Sequence, residues 1–101
     1  MAPNIKLDDS VIREFCRKWK VKELALFGSV LREDFQPDSD VDVLVTFADD
    51  ADLSLFGFVR MSDELAELLG REVDLVGKAA LRNPFRRKSI LENMEVVYAG
   101  E

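Results

Sequence analysis

The sequence contains no histidine and a single cysteine, Cys16. The first absence removes imidazole as a general base and excludes most zinc sites. The second excludes an intramolecular disulfide framework. Cys16 falls in an amphipathic stretch and reads as core or half-buried rather than as a reactive thiol. No segment is repeated, linker-like or of low complexity. There is no signal-peptide pattern and no apolar run of membrane length, so a cytoplasmic location is the expectation. Positive charge is in deficit: 14 Lys and Arg stand against 20 Asp and Glu, a formal net charge of −6. A uniform basic face for duplex DNA is therefore not expected, although local basic patches stay open.

What is present is an ordinary globular composition, 48% apolar and 34% charged. A chain of 101 residues reads as one domain spanning residues 1–101. Its core would be modest, and a partner or second copy would help to bury apolar surface. Periodicity predicts a helix over Asp8 to Lys20, where Val11, Ile12, Phe15, Cys16 and Trp19 recur at helical spacing and Asp8 or Ser10 can cap the start. Short strands are predicted over Glu23 to Phe27, Val41 to Phe47, Glu72 to Val76 and Glu95 to Ala99. Ser29 to about Glu33 reads as one or two helical turns with Ser29 as N-cap, and Gln36-Pro37-Asp38-Ser39 as a turn. Leu55 to Leu69 reads as a second long helix stopped by Gly70, and Arg86 to Asn93 as a last one. The alternation indicates an α/β or α+β fold with one small sheet covered by helices.

The strand Val41 to Phe47 carries a carboxylate where an apolar residue is expected. Asp40 and Asp42 are two apart, so on a strand they project to the same side, with Val41 and Val43 on the other. Two like charges that close raise each other's pKa, and a divalent cation relieves the repulsion. Asp74, flanked by Val73 and Leu75, repeats the pattern and reaches the same face if its strand lies beside Val41 to Phe47. Without histidine, such a site has only oxygen ligands, which points to magnesium or manganese. Three carboxylates can hold two magnesium ions about 3.5–4 Å apart, an arrangement suited to in-line displacement at phosphorus. Two structural readings compete: a turn-capping aspartate at the strand start, and a pairing of Asp74 with Arg71. A calcium loop beginning at Asp38 is excluded. Its sixth position would be Val43 instead of glycine, and its twelfth Asp49 instead of glutamate.

Gly28-Ser29 lies between a strand and the start of a helical segment. Glycine lets a ligand approach the backbone, and free N–H groups with a hydroxyl suit the terminal phosphates of a nucleotide. A turn followed by an N-cap is the alternative for this dipeptide alone. Its weight comes from the sequel, ten residues and then Asp40-Val41-Asp42.

The string Gly28-Ser29, ten residues, Asp40-Val41-Asp42 resembles the signature of the minimal nucleotidyltransferases of the DNA polymerase beta superfamily. "LFGS", "PDSDVDVLV", "REVDLV" and "ALRNPFRRKSILENMEVVYA" resemble the prokaryotic antitoxin branch of that group, usually paired with a HEPN-domain toxin. The resemblance runs from about Lys22 to Ala99. It implies a polymerase-beta-like fold, a small mixed sheet with helices on one side. It implies that Asp40 and Asp42 ligand magnesium and that Asp74 completes the site and helps to deprotonate the attacking hydroxyl. Gly28 and Ser29 would hold the β- and γ-phosphates of ATP, and Arg32 would contact phosphate, its alternative being a surface helix residue. Leu31 and Glu33 depart from the Gly-Ser-x-Ala-Arg-Gly form common in the group, and an acid at residue 33 either weakens nucleotide binding or points to solvent.

The activity so implied is transfer of AMP from ATP to a tyrosine of the HEPN toxin, with two magnesium ions and no histidine base. A binding-only antitoxin and a transferase for a small molecule such as an antibiotic are the alternatives. Direct nucleic-acid binding and membrane association are not expected. Arg82, Arg86, Arg87 and Lys88 could dock an acidic partner surface; a solvated helix face is the other reading, and it also covers Arg13, Arg17, Lys18, Lys20 and Lys22. Leu53, Leu55, Phe56, Phe58 and Met61 exceed what one small core buries, so some could form a contact surface.

Overall fold

The computed structural model describes residues 7–32 and 40–100. The predicted turn Gln36 to Ser39, with Asp38, and the departure at Glu33 lie outside the described residues. Helix α1 (Asp9–Lys18) begins where Asp8 accepts hydrogen bonds from the backbone N–H groups of Ser10 and Val11 at 3.0 and 3.3 Å. It buries Ile12, Phe15 and Cys16, and is shorter at both ends than periodicity predicts. The chain leaves it through Lys20, whose φ of 56° is left-handed, and enters strand β1 (Val21–Phe27).

After β1 the residues Gly28–Leu31 form a single 3₁₀ turn. Ser29 is not its N-cap. Phe27 holds that position, no side chain caps the turn, and Arg32 is already extended, so the predicted helical segment ends one residue before Arg32. Strand β2 (Val41–Phe47) follows, then α2 (Leu55–Leu69). Helix α2 starts on Ser54, whose hydroxyl accepts from Gly57 N–H at 3.1 Å, and stops at Gly70 in the left-handed conformation, φ 66°. Strand β3 (Val73–Gly77), helix α3 (Pro84–Asn93) and strand β4 (Glu95–Ala99) complete the order. Asn83 caps α3 by accepting from Phe85 and Arg86 N–H at 3.0 and 3.1 Å, and Pro84 takes the first helical position, where no N–H is needed.

The strands form one sheet in the order β3-β2-β1-β4. β2 and β3 are parallel, and β1 is antiparallel to both β2 and β4. The sheet is mixed, and its two faces are covered differently. Val41, Val43 and Val45 of β2 join Leu24, Leu26 and Leu75 against Ile12, Phe15 and Cys16 of α1 and Met61 and Leu65 of α2. On the other face Ala25, Phe27 and Leu44 meet Ile90 of α3 and Leu81. Helices therefore lie on both sides of the sheet, and the one-sided arrangement implied by the resemblance is corrected. The physical reason is Ile90, the buried residue of α3, which closes over an apolar patch on the face that also carries Asp42.

Of the apolar excess around α2, Met61 is fully buried and Leu53 and Phe58 pack partly against the main core. Leu55 and Phe56 are 77% and 82% exposed. Among the described residues no helix is long and apolar enough to cross a membrane.

Candidate active site

β-strand alternation turns Asp42 away from its valine neighbours. Val41 and Val43 point into the main core, so Asp42 shares the opposite face with Leu44. In the β1–β2 ladder Asp42 stands opposite Phe27, the last residue before Gly28. In the parallel β2–β3 ladder it stands opposite Asp74. The parallel pairing opens with Val41 N–H donating to the Glu72 carbonyl at 2.9 Å, which fixes that register. Two carboxylates of different strands are thus paired side by side at one end of the sheet. Asp40, just before β2, is exposed, as is Asp74, while Asp42 is half-buried.

Gly28 lies against this pair. Its φ of 76° is left-handed, and a Cβ added there would collide with Oδ2 of Asp42. Only glycine allows the chain to turn here with the carboxylate so near its Cα. Ser29 is half-buried beside it and Arg32 is exposed. The structure thus gathers Gly28, Ser29, Asp40, Asp42 and Asp74 at one end of the sheet, with Arg32 beside them.

The electrostatics mark the same place. Burial pushes the Asp42 carboxyl above its ordinary range, and the charges of Asp74 and Asp40 push it further; Arg86 and Arg32 partly offset them. Arg86 is the residue that sequence reasoning assigned elsewhere, to a docking cluster. Its position four residues before Ile90, the buried anchor of α3, is the signal that could have placed it here. Beyond Gly28, a cavity of about 450 Å³ runs between the 3₁₀ turn and α3. It is lined by Leu31, Arg32, Ser89, Asn93 and Glu95 over an apolar floor of Phe27 and Ile90.

The donors suit a hard divalent cation, since all three acids offer oxygen and repel one another without one. Among the described residues no three His, Cys, Asp or Glu side chains converge closely enough to hold an ion by themselves. A magnesium site of this kind takes one or two carboxylates and completes its shell with water and substrate phosphate, so the residues fit.

The chain matches the nucleotidyltransferase domain over residues 9–97. The chain belongs to the nucleotidyltransferase domain family. A Methanocaldococcus jannaschii protein named as a protein adenylyltransferase is 44% identical over 77 residues, 76% of this chain and 76% of its own length. Protein adenylyltransferase MntA of Thermococcus cleftensis is 40% identical over 86 residues, 85% of this chain and 82% of its own. A crystal structure of a toxin–antitoxin pair with AMP-PNP superposes with a TM-score of 0.73 at 23% identity, covering 94% of this chain and 76% of the other. The structure of a tri-AMPylated Shewanella oneidensis HEPN toxin with its MNT antitoxin gives a TM-score of 0.60 at 23% identity, covering 90% of this chain and 69% of the other. At these identities the two structures establish the shared fold. In this nucleotidyltransferase the Gly28-Ser29 turn and the Asp40/Asp42 step lie together at one end of the sheet.

Proposed function

We propose that this nucleotidyltransferase is the antitoxin of a HEPN toxin and inactivates it by moving AMP from ATP to a tyrosine hydroxyl. The observation that carries the reading is the register of Asp42 on Asp74 directly beside Gly28. Gly28 and Ser29 offer backbone N–H groups and a hydroxyl to the β- and γ-phosphates. Asp40, Asp42 and Asp74 would hold magnesium, which when bound supplies charge neutralisation and polarises the phosphate oxygens. The acceptor oxygen attacks the α-phosphorus, the bond to the β-phosphate oxygen breaks, and pyrophosphate leaves. Asp74, exposed on the edge strand β3, would take the hydroxyl proton. Arg32 would contact phosphate from beyond the Gly-Ser turn.

The relatives named as protein adenylyltransferases support a protein acceptor, and the AMPylated toxin complex supports a HEPN partner. The AMP-PNP complex supports ATP as donor. The test is to incubate the chain with ATP, magnesium and a HEPN-domain protein from the same genome, then weigh that protein intact. The expected result is a gain of one or more AMP units, absent with Asp42→Asn although the complex still forms. A stable complex with no mass change would leave a binding antitoxin. No complex would move the acceptor to a small molecule.

A further inference from the structure

Strand β2 carries a second polar residue on the face that bears Asp42. Alternation puts Asp42, Leu44 and Thr46 on one side, and Thr46 lies about 13 Å further along the strand than Asp42. There a hollow of about 460 Å³ opens between the strand ends, a 3₁₀ turn over Lys78–Ala80, and α3. Gly77, Ala79 and Ala80 offer too little side chain to fill it, and Phe47 gives it an apolar wall. Its two cations are Lys78 from the turn and Arg87 from α3. No acid lines it, and Glu23, the ladder partner of Thr46, is not part of its wall. Among the described residues Lys18 pairs with Glu64, Lys20 with Asp50 and Lys88 with Glu92, whereas Lys78 and Arg87 enter no ion pair. The hollow between α1 and α2 is different in kind: its Lys18 and Arg60 stand among Asp63, Glu64 and Glu67.

We propose that this hollow docks an acidic segment of the protein acceptor, with an apolar side chain entering it and a carboxylate held by Lys78 and Arg87. The inference rests on the protein-acceptor reading of the active site and adds the place where that acceptor is held. The argument is one of charge. The chain has a formal net charge of −6, and three aspartates crowd its reaction centre, so an acidic segment is repelled over most of this protein. Two cations that no neighbouring acid answers, beside apolar atoms that exclude water, select such a segment. The guanidinium of Arg87 adds bidentate geometry for a carboxylate. Arg82, Arg86 and Lys88 do not line the hollow, so of the basic run on α3 only Arg87 takes part. The edge strand β3 joins the two places: Gly77 lines the hollow, and Asp74 precedes it on the same strand. About four extended residues cover that span. An acceptor anchored in the hollow thus keeps a hydroxyl within reach of the aspartates, which raises its effective concentration there.

The experiment titrates the chain into a HEPN-domain protein from the same genome at low and high salt, and measures KM for that protein and for ATP in AMP transfer. The proteins are the wild type, Lys78→Glu, Arg87→Glu, the double variant and, as a control of equal charge change, Arg60→Glu on α2. A thermal melt checks the fold. Arg87 is exposed, so Arg87→Glu alone carries the test if the variants at the half-buried Lys78 do not fold. The double variant is expected to weaken the complex about tenfold at low salt, with a smaller difference at high salt. KM for the HEPN protein rises with it, KM for ATP stays, and Arg60→Glu changes neither. Wild-type affinity in Arg87→Glu and the double variant overturns the inference. So does an equal loss in Arg60→Glu, which would make it a general charge effect, or a raised KM for ATP, which would give the hollow to the nucleotide. A wild type that self-associates, with a monomeric double variant, overturns it in favour of a second copy. A wild type that binds an ATP analogue with magnesium but forms no complex fails the protein-acceptor reading and takes the inference with it.

Discussion

Asp42 combines two demands that oppose each other. It stands in a strand whose neighbouring residues fill the core, and it faces another carboxylate across the ladder. Its pKa is raised, first by burial and then by Asp74 and Asp40. A carboxyl raised in the folded state lends stability below its ordinary pKa and loses it as pH rises through the raised value. At neutral pH the ionised Asp42 therefore works against folding. Asp42→Asn removes the charge and keeps the shape. In metal-free buffer its melting temperature at pH 7 is expected to equal or exceed that of the wild type, with the difference vanishing at acid pH. A lower melting temperature across that range would show that the carboxylate supports the fold rather than the site.

At the level of elements, the termini of the helices are set by side-chain caps that the sequence displays openly. Asp8, Ser54 and Asn83 each accept from backbone N–H groups at the start of a helix. Gly70 ends α2 with a left-handed φ of 66°, and a Cβ there would meet nothing within 4 Å. The cost of Gly70→Ala is therefore conformational, with no clash, about 1 kcal/mol. Denaturant unfolding should show that loss in the midpoint with an unchanged slope. α1 and α2 are tied together where Glu64 accepts from Lys18 and, at 3.0 Å, from Trp19 Nε1–H. These bonds hold the Glu64 carboxyl below its usual range. That contribution is present above the ordinary glutamate pKa and lost as pH falls through the lowered value.

For the whole molecule, Cys16 reports on the integrity of the core. Its thiol is fully buried among α1, α2 and the sheet, and burial pushes it from 9.0 up to about 12. The native thiol should be inert to disulfide-exchange and alkylating reagents and become reactive only on unfolding, so labelling follows global opening. Stability from the buried neutral thiol is full below pH 9.0 and declines as pH rises toward about 12. Labelling of the folded protein near neutral pH as fast as that of a free thiol would show a core looser than this packing.

The four strands and three helices among the described residues, and their order, are legible in the sequence, because alternation, helical spacing and caps are local properties of the chain. Asp40, Asp42 and Gly28-Ser29 stand out for the same reason, as charge and glycine placed where apolar residues are the rule. That Asp74 belongs with them was conditional on strand order, which no local signal carries; the parallel register of β3 on β2 supplies it. The Ser29 N-cap failed because the turn begins one residue earlier, at Gly28, so that Phe27 holds the cap position and Ser29 lies inside the turn. Arg86 read as part of a surface cluster, since charge along a helix looks the same whichever way the helix lies. Only packing decided that α3 crosses the Asp42 face, because one buried isoleucine found its apolar patch beside Phe27 and Leu44. Sequence determined which residues carry the chemistry; non-local contacts between strands and across the sheet decided which of them meet.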